Sequence, residues 1–173
     1  MVLKLIEKVP YYEERESEVL VDAAIDISMD IIKKWEGFKA KAYKCQAGKW
    51  TVGYGRTGPD VTEASVTTRQ AEEVWLRKRV ADEISWIRQT ALTKAIGEKL
   101  NDNQVAALVT LVYNIGRGGF LGSGVRRFLL QGKEKEALAR WERWNKVGGL
   151  ENKGLNNRRA AEIALFTTPP EAK

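Results

Sequence analysis

The stretch "NDNQVAALVTLVYNIG", residues 101–116, constrains the fold more than any other. Asn101 and Gln104 stand three apart, the spacing at which each side chain can satisfy the other's free backbone N–H at a helix start. Val105, Leu108, Val109 and Val112 then recur at i, i+3, i+4 and i+7. That pattern predicts a helix with a wide apolar face, which other elements must cover.

The segments around it supply the cover. Thr67 with Gln70 repeats the capping pattern and opens "TRQAEEVWLRKRVADEISWIRQ", with Leu76, Val80, Ile84 and Ile87 on one side. "EKEALARWERWNK" and "NNRRAAEIALF" predict two more helices, and "TTPP" closes the last. Nearer the start, Ser28 is an expected N-cap for "MDIIKKWEGFKA", with Asp30 in its first turn and Ile31, Ile32 and Trp35 as its apolar stripe. This helix should end near Phe38. "AYKCQAGKWTVGYG" predicts two short strands around Ala47-Gly48.

Before Ser28, Val19, Val21, Ala23, Ile25 and Ile27 alternate as in a strand, and "VLKLIEKV" could pair with it. Residues 1–26 are therefore expected to be an acidic N-terminal arm in hairpin form, and residues 27–173 one further domain. Residues 1–30 carry three basic and eight acidic side chains, net −5, so the remainder must carry +11 for the chain to total +6. A basic body suits a polyanionic partner, though it also serves solubility. The expected class is α+β, mainly helical, with a small β-hairpin lobe and a larger helical lobe flanking a cleft.

Composition narrows the chemistry. There is no histidine and one cysteine among 173 residues. Imidazole-activated nucleophiles are excluded, an intrachain disulfide is impossible, and a zinc site is disfavoured. No cofactor and no metal are expected. No run of residues is long and apolar enough for a membrane span. "MVLKLIEKVP" is broken by Lys4, Glu7 and Lys8, which is unlike a signal peptide, so synthesis in a cytosol is expected. The basic charge comes with no nucleic-acid-binding motif, and no such partner is expected.

Glu36, Cys45 and Thr51 form a spaced set, Glu-x8-Cys-x5-Thr, within "WEGFKAKAYKCQAGKWTVGYGRTG". With "EGFKAKAY", "WTVGYG", "LNDNQVAALVTLVYNIG" and "GLNNRRAAEIALF", it resembles the phage-type lysozymes of glycoside hydrolase family 24. Their pattern is Glu-x8-Asp-x5-Thr, with Cys a variant at the middle position. The resemblance runs from about Ile27 to Phe166.

It implies a lysozyme-like fold and hydrolysis of the β-1,4 bond between N-acetylmuramic acid and N-acetylglucosamine in peptidoglycan. Glu36 would be the general acid, a role that needs a carboxyl kept protonated by a partly desolvated site. Thr51 would hold the attacking water, with inversion at the sugar carbon. Cys45 would stand in the place of the family's second acid, as thiolate base or water-orienting group; cysteine's commonest use, packing, remains open.

Tyr113 and Asn114 would line the cleft and meet sugar rings and N-acetyl groups. Arg158 would pair with Glu36, with Arg159 the competing choice. Two features depart from the pattern. Arg56 stands where the family often has His, so a buried His–Asp pair is absent, and the acidic arm has no counterpart in short members.

The reading that follows is a monomeric endolysin acting on peptidoglycan, made in a host cytoplasm and released to the wall by a holin. A virion-borne lysozyme is the close variant. A muramidase-like module that binds peptidoglycan or a partner protein without cleaving is the alternative, and Cys45 at an acid position is its best support.

Overall fold

The computed structural model describes residues 22–45 and 47–169. Helix α1, Ala23–Glu36, begins earlier than the sequence suggests. Asp22 is its N-cap, its side chain accepting from the Ala24 N–H at 3.0 Å. Ser28, the expected cap, lies inside the helix, buried, with its hydroxyl donating to the Ala24 carbonyl at 2.6 Å. Serine tolerates a helix interior when it back-bonds to the carbonyl four residues earlier. The strand expected over Ala23, Ile25 and Ile27 is likewise helix. The face that packs is Ala24, Ile25, Ser28, Met29 and Ile32, a helical stripe that the alternation obscured. Ile32 is buried as expected, while Ile31 and Trp35 are only half-buried. The rest of the expected arm, residues 1–21, lies outside the described residues.

Gly37 ends α1 with φ of 65°, a conformation that glycine adopts without steric cost. A three-stranded antiparallel sheet follows in the order β1-β2-β3: Lys39–Lys44, Trp50–Gly53 and Arg56–Thr57. The expected strand pair around Ala47-Gly48 is β1 with β2, in register Tyr43 to Thr51 and Lys44 to Trp50.

Helix α2, Arg69–Trp86, has its N-cap one residue past the expected Thr67. Thr68 accepts from the Ala71 N–H, while Thr67 donates to the buried Glu72 at 2.8 Å. The helix runs on into a π-helical turn, Ile87–Ala91, and a short helix α3, Lys94–Gly97. Helix α4, Asp102–Leu121, carries both halves of the capping box at 2.9 and 3.2 Å. It bends at Gly116, whose φ of 78° is not helical.

Helices α5 (Gly124–Leu130) and α6 (Glu134–Trp141) follow. The helix expected over 134–146 stops at Trp141. Beyond it lies a two-stranded hairpin, β4 (Lys146–Val147) and β5 (Leu150–Glu151), turned by Gly148 and Gly149 at φ of 58° and 85°. Two successive left-handed residues are what a tight hairpin turn requires. Helix α7, Lys153–Thr167, completes the described chain.

Val105, Leu108, Val109 and Val112 are all buried, as are Leu76, Val80, Ile84 and Ile87. Helix α4 packs chiefly against α7 and α1. Each fully buried side chain of this size contributes about 1.5–3 kcal/mol. This core holds the C-terminus of α1 against the second turn of α7, and the site lies there. Among the described residues, no single helix is long and apolar enough to cross a membrane.

Candidate active site

Glu36 is the last residue of α1, so its carboxylate projects where the helix stops and the sheet begins. It is about one-quarter exposed and accepts from Nη1 of Arg158 at 2.7 Å. Gly55, at φ of 85°, brings its backbone close. A Cβ placed there lies 3.4 Å from the Glu36 Oε2.

Arg158 is buried, and its other groups are fully engaged. Nε donates to Glu162 at 3.2 Å and Nη2 to the Thr110 carbonyl at 3.2 Å. Of the two arginines left open by the sequence, Arg158 is the one on Glu36. Arg159 reaches the Asn114 Oδ1 at 3.0 Å, Glu162 at 2.9 Å and the Trp144 carbonyl at 3.2 Å. Glu162 also accepts from the Trp141 indole at 2.9 Å.

Glu36, Arg158, Arg159 and Glu162 thus form one hydrogen-bonded cluster. Burial pushes Glu162 above the usual carboxylate range, with Arg159, Trp141 and Arg158 opposing. Burial also lowers Arg159. The basic pair costs nothing against the helix dipole, because both residues lie beyond the first turn of α7.

Cys45 sits at the head of the β1–β2 turn. Its N–H donates to the Lys49 carbonyl at 3.0 Å, and its carbonyl accepts from Gly48 at 2.8 Å. The thiol is half-exposed and lies below the usual thiol value, through hydrogen bonding by the Lys49 backbone first; burial opposes, and the Thr51 side chain and Ala47 backbone add. Thr51 is buried on β2 and donates its hydroxyl proton to the Lys49 carbonyl at 3.1 Å, leaving its lone pairs to accept.

Tyr43 lies on β1, two residues before Cys45. Its phenol is raised by burial first, then by the negative charges of Glu36 and Cys45. Glu36 and Cys45 therefore both act on one side chain. Sequence reasoning passed over Tyr43, although strand alternation puts it on the same face as Cys45 two residues on. Glu162 was missed too, although it falls one helical turn after both arginines.

Tyr113 is half-buried, and its hydroxyl donates to the Tyr54 carbonyl at 2.6 Å, tying α4 to the sheet. Burial and the Glu36 charge raise its phenol well above the usual tyrosine value. Its hydroxyl is thus already engaged, whereas Asn114 is exposed with its amide nitrogen free of protein partners among the described residues.

Arg56, standing where a histidine was expected, pairs with Asp60 at 2.6 Å and the buried Glu72 at 2.9 Å. Gly53, at φ of 64°, is needed beside this pair, since a Cβ there runs into the Glu72 side chain. Among the described residues, no cluster of acidic and cysteine side chains could hold a metal.

A mainly helical α+β fold with a small antiparallel sheet set against a half-buried Glu–Arg pair defines a protein of the lysozyme class. The chain belongs to the phage lysozyme family, whose profile matches residues 33–162. It is 38% identical over 142 residues to an endolysin of Bacillus phage PZA, covering 81% of this chain and 53% of that protein, so it spans about half that relative's length. It is 38% identical over 141 residues to an endolysin of Acyrthosiphon pisum secondary endosymbiont phage 1, covering 79% of this chain and 92% of that one. Among solved structures, it is similar to an endolysin from Escherichia coli O157:H7 phage FAHEc1. That match has a TM-score of 0.69 and 27% identity, covering 85% of this chain and 94% of that one.

Proposed function

We propose that the protein is an endolysin that cleaves the β-1,4 bond between N-acetylmuramic acid and N-acetylglucosamine by single-step, inverting hydrolysis. The observation that carries this reading is the Glu36 carboxyl held by Arg158 at 2.7 Å, inside the span that matches the family.

Glu36 gives its proton to the departing glycosidic oxygen. Water attacks the sugar carbon from the other face, accepted by the Thr51 hydroxyl oxygen. The Cys45 thiolate takes the water's proton, a role its lowered pKa supports. The turnover leaves Glu36 ionised and Cys45 protonated, and exchange with solvent restores both. Asn114 offers its amide to an N-acetyl group. Arg158 is a positioning residue, fixing the carboxyl while sharing its own charge with Glu162.

Delivery to the wall through a separate holin goes with this reading. Lysis on co-expression with a holin, and none without it, is the expected result. Loss of turbidity of a peptidoglycan suspension tests the activity. The wild-type protein should clear it and Glu36→Gln should not. A suspension that both proteins bind without clearing favours the non-cleaving module instead.

A further inference from the structure

The pair of Arg56 and Glu72 takes no part in the chemistry above, yet it stands next to it. Glu72 lies in the first turn of α2 and is almost wholly buried. Its carboxyl accepts from the Thr67 hydroxyl at 2.8 Å and from Nε of Arg56 at 3.0 Å, and Nη2 of Arg56 stands 2.9 Å away. The remaining Arg56 nitrogen, Nη1, is on Asp60. Glu72 also meets the end of β2, since its side chain fills the space that a Cβ on Gly53 would need. One acid thus fixes the end of β2, the start of β3 and the entry to α2.

A buried ion pair says little by itself, because well-packed apolar side chains often hold a fold as well. What matters here is the turn that hangs between its two contacts. Tyr54 and Gly55 join β2 to β3. The Gly55 backbone approaches Glu36, and a Cβ on it would lie 3.4 Å from the carboxyl Oε2. Oε1 accepts from Arg158 at 2.7 Å. The Glu36 carboxyl is therefore held by α7 at one oxygen and closed over by this turn at the other.

The Tyr113 hydroxyl fixes the middle of the turn through the Tyr54 carbonyl. Glu72 fixes both flanks, Gly53 by contact and Arg56 by its guanidinium. Thr51 belongs to the same hairpin, paired with Thr57 one residue beyond Arg56. Resting on the muramidase reading above, we propose that Glu72 and Arg56 are positioning residues: the pair sets the height of the Gly53–Arg56 turn, which closes over Oε2 of Glu36 and keeps the carboxyl in one orientation toward the glycosidic oxygen.

The test replaces the pair by apolar side chains of similar size. Arg56→Met/Glu72→Met removes both charges together, an exchange that often leaves stability unchanged or raised. Its unfolding midpoint in urea should stay close to that of the wild type. Its kcat on soluble glycan strands prepared from peptidoglycan should still fall by about 10- to 100-fold, the scale of a misplaced reacting group. KM should hold, and so should affinity for the same strands when Glu36→Gln is added to both proteins. Amide hydrogen exchange should quicken across residues 51–57 and stay unchanged in α4. Glu72→Gln keeps the size and an acceptor for Thr67, so it decides the matter if the double variant folds poorly; it should show a smaller loss of the same kind. Arg56→Lys keeps the charge without the planar fork and should lose less than Arg56→Met.

A stable double variant with wild-type kcat overturns the proposal. So does a loss that falls on KM alone, unchanged exchange across 51–57, or a loss in both variants no larger than their unfolded fraction explains. A folded wild-type protein that cleaves no strand refutes the muramidase reading and takes the positioning role with it. Failure of the positioning role alone leaves wild-type cleavage intact.

Discussion

Arg158 and Glu36 lie 122 positions apart in the chain and meet at 2.7 Å. The contact joins the C-terminus of α1 to the second turn of α7, and both helices reach it by packing on α4. Placement of the carboxyl thus depends on the core as a whole.

Glu36→Gln keeps the size of the side chain and an oxygen for Arg158 but has no proton of the right acidity to give. Lytic rate should fall by about 10²–10⁴-fold, the usual worth of general acid catalysis. Thermal unfolding should change little. Comparable rates for the two proteins remove Glu36 from the mechanism.

Gly55→Ala places a methyl group against the carboxyl and forces a left-handed conformation on an L residue, which costs about 1–2 kcal/mol. Activity should drop more than the lost stability accounts for. A stable and fully active Gly55→Ala protein contradicts the close approach of the two lobes at this point.

The helices were legible where local pattern and tertiary need agree. The Asn101–Gln104 box and the stripe Val105, Leu108, Val109 and Val112 are read from neighbours alone, and the structure keeps each. Ser28 misled because a serine can also sit inside a helix, and Asp22 was the true cap. The β4–β5 hairpin was hidden by a helical pattern running toward Gly148-Gly149. Within the candidate site, Glu36, Cys45 and Thr51 were singled out by spacing and resemblance. Glu162 and Tyr43 were not, because a buried carboxylate between two arginines looks like surface charge until the fold closes over it.

Glu162 is the test of that closure. Glu162→Ala leaves two buried guanidiniums with one carboxylate between them. Breaking a buried pair typically costs about 3–5 kcal/mol. Denaturant unfolding should show a loss of that order, and a change near zero denies the cluster its structural role.

Tyr113 supplies a pH dependence. Its phenol is raised in the folded protein, so its contribution to stability is fully present below the unfolded value, about 10, and is lost as pH rises through the folded value. Tyr113→Phe should lose about 1 kcal/mol at neutral pH with the hydrogen bond to Tyr54. The gap between the wild-type and variant unfolding curves should shrink above pH ~10. A gap that stays constant into strong alkali counts against the hydrogen bond.

Cys45 separates base from bystander. Its thiol is lowered, so the thiolate fraction rises at a lower pH than in a free cysteine, whose value is about 8.5. The lytic rate should show a limb that follows the thiolate fraction of Cys45. Cys45→Asp should stay active with the rising limb moved to lower pH. Cys45→Ser should be slower and Cys45→Ala slowest. Equal activity of the Cys, Ser and Ala forms across pH makes Cys45 a packing residue.

The most direct measurement of the central claim is mass analysis of the fragments released from purified peptidoglycan. Hydrolysis at Glu36 predicts disaccharide-peptides that end in a reducing N-acetylmuramic acid carrying the mass of one added water, absent with Glu36→Gln. Products ending in anhydro-muramic acid, reducing-end N-acetylglucosamine, or no released fragments at all contradict it.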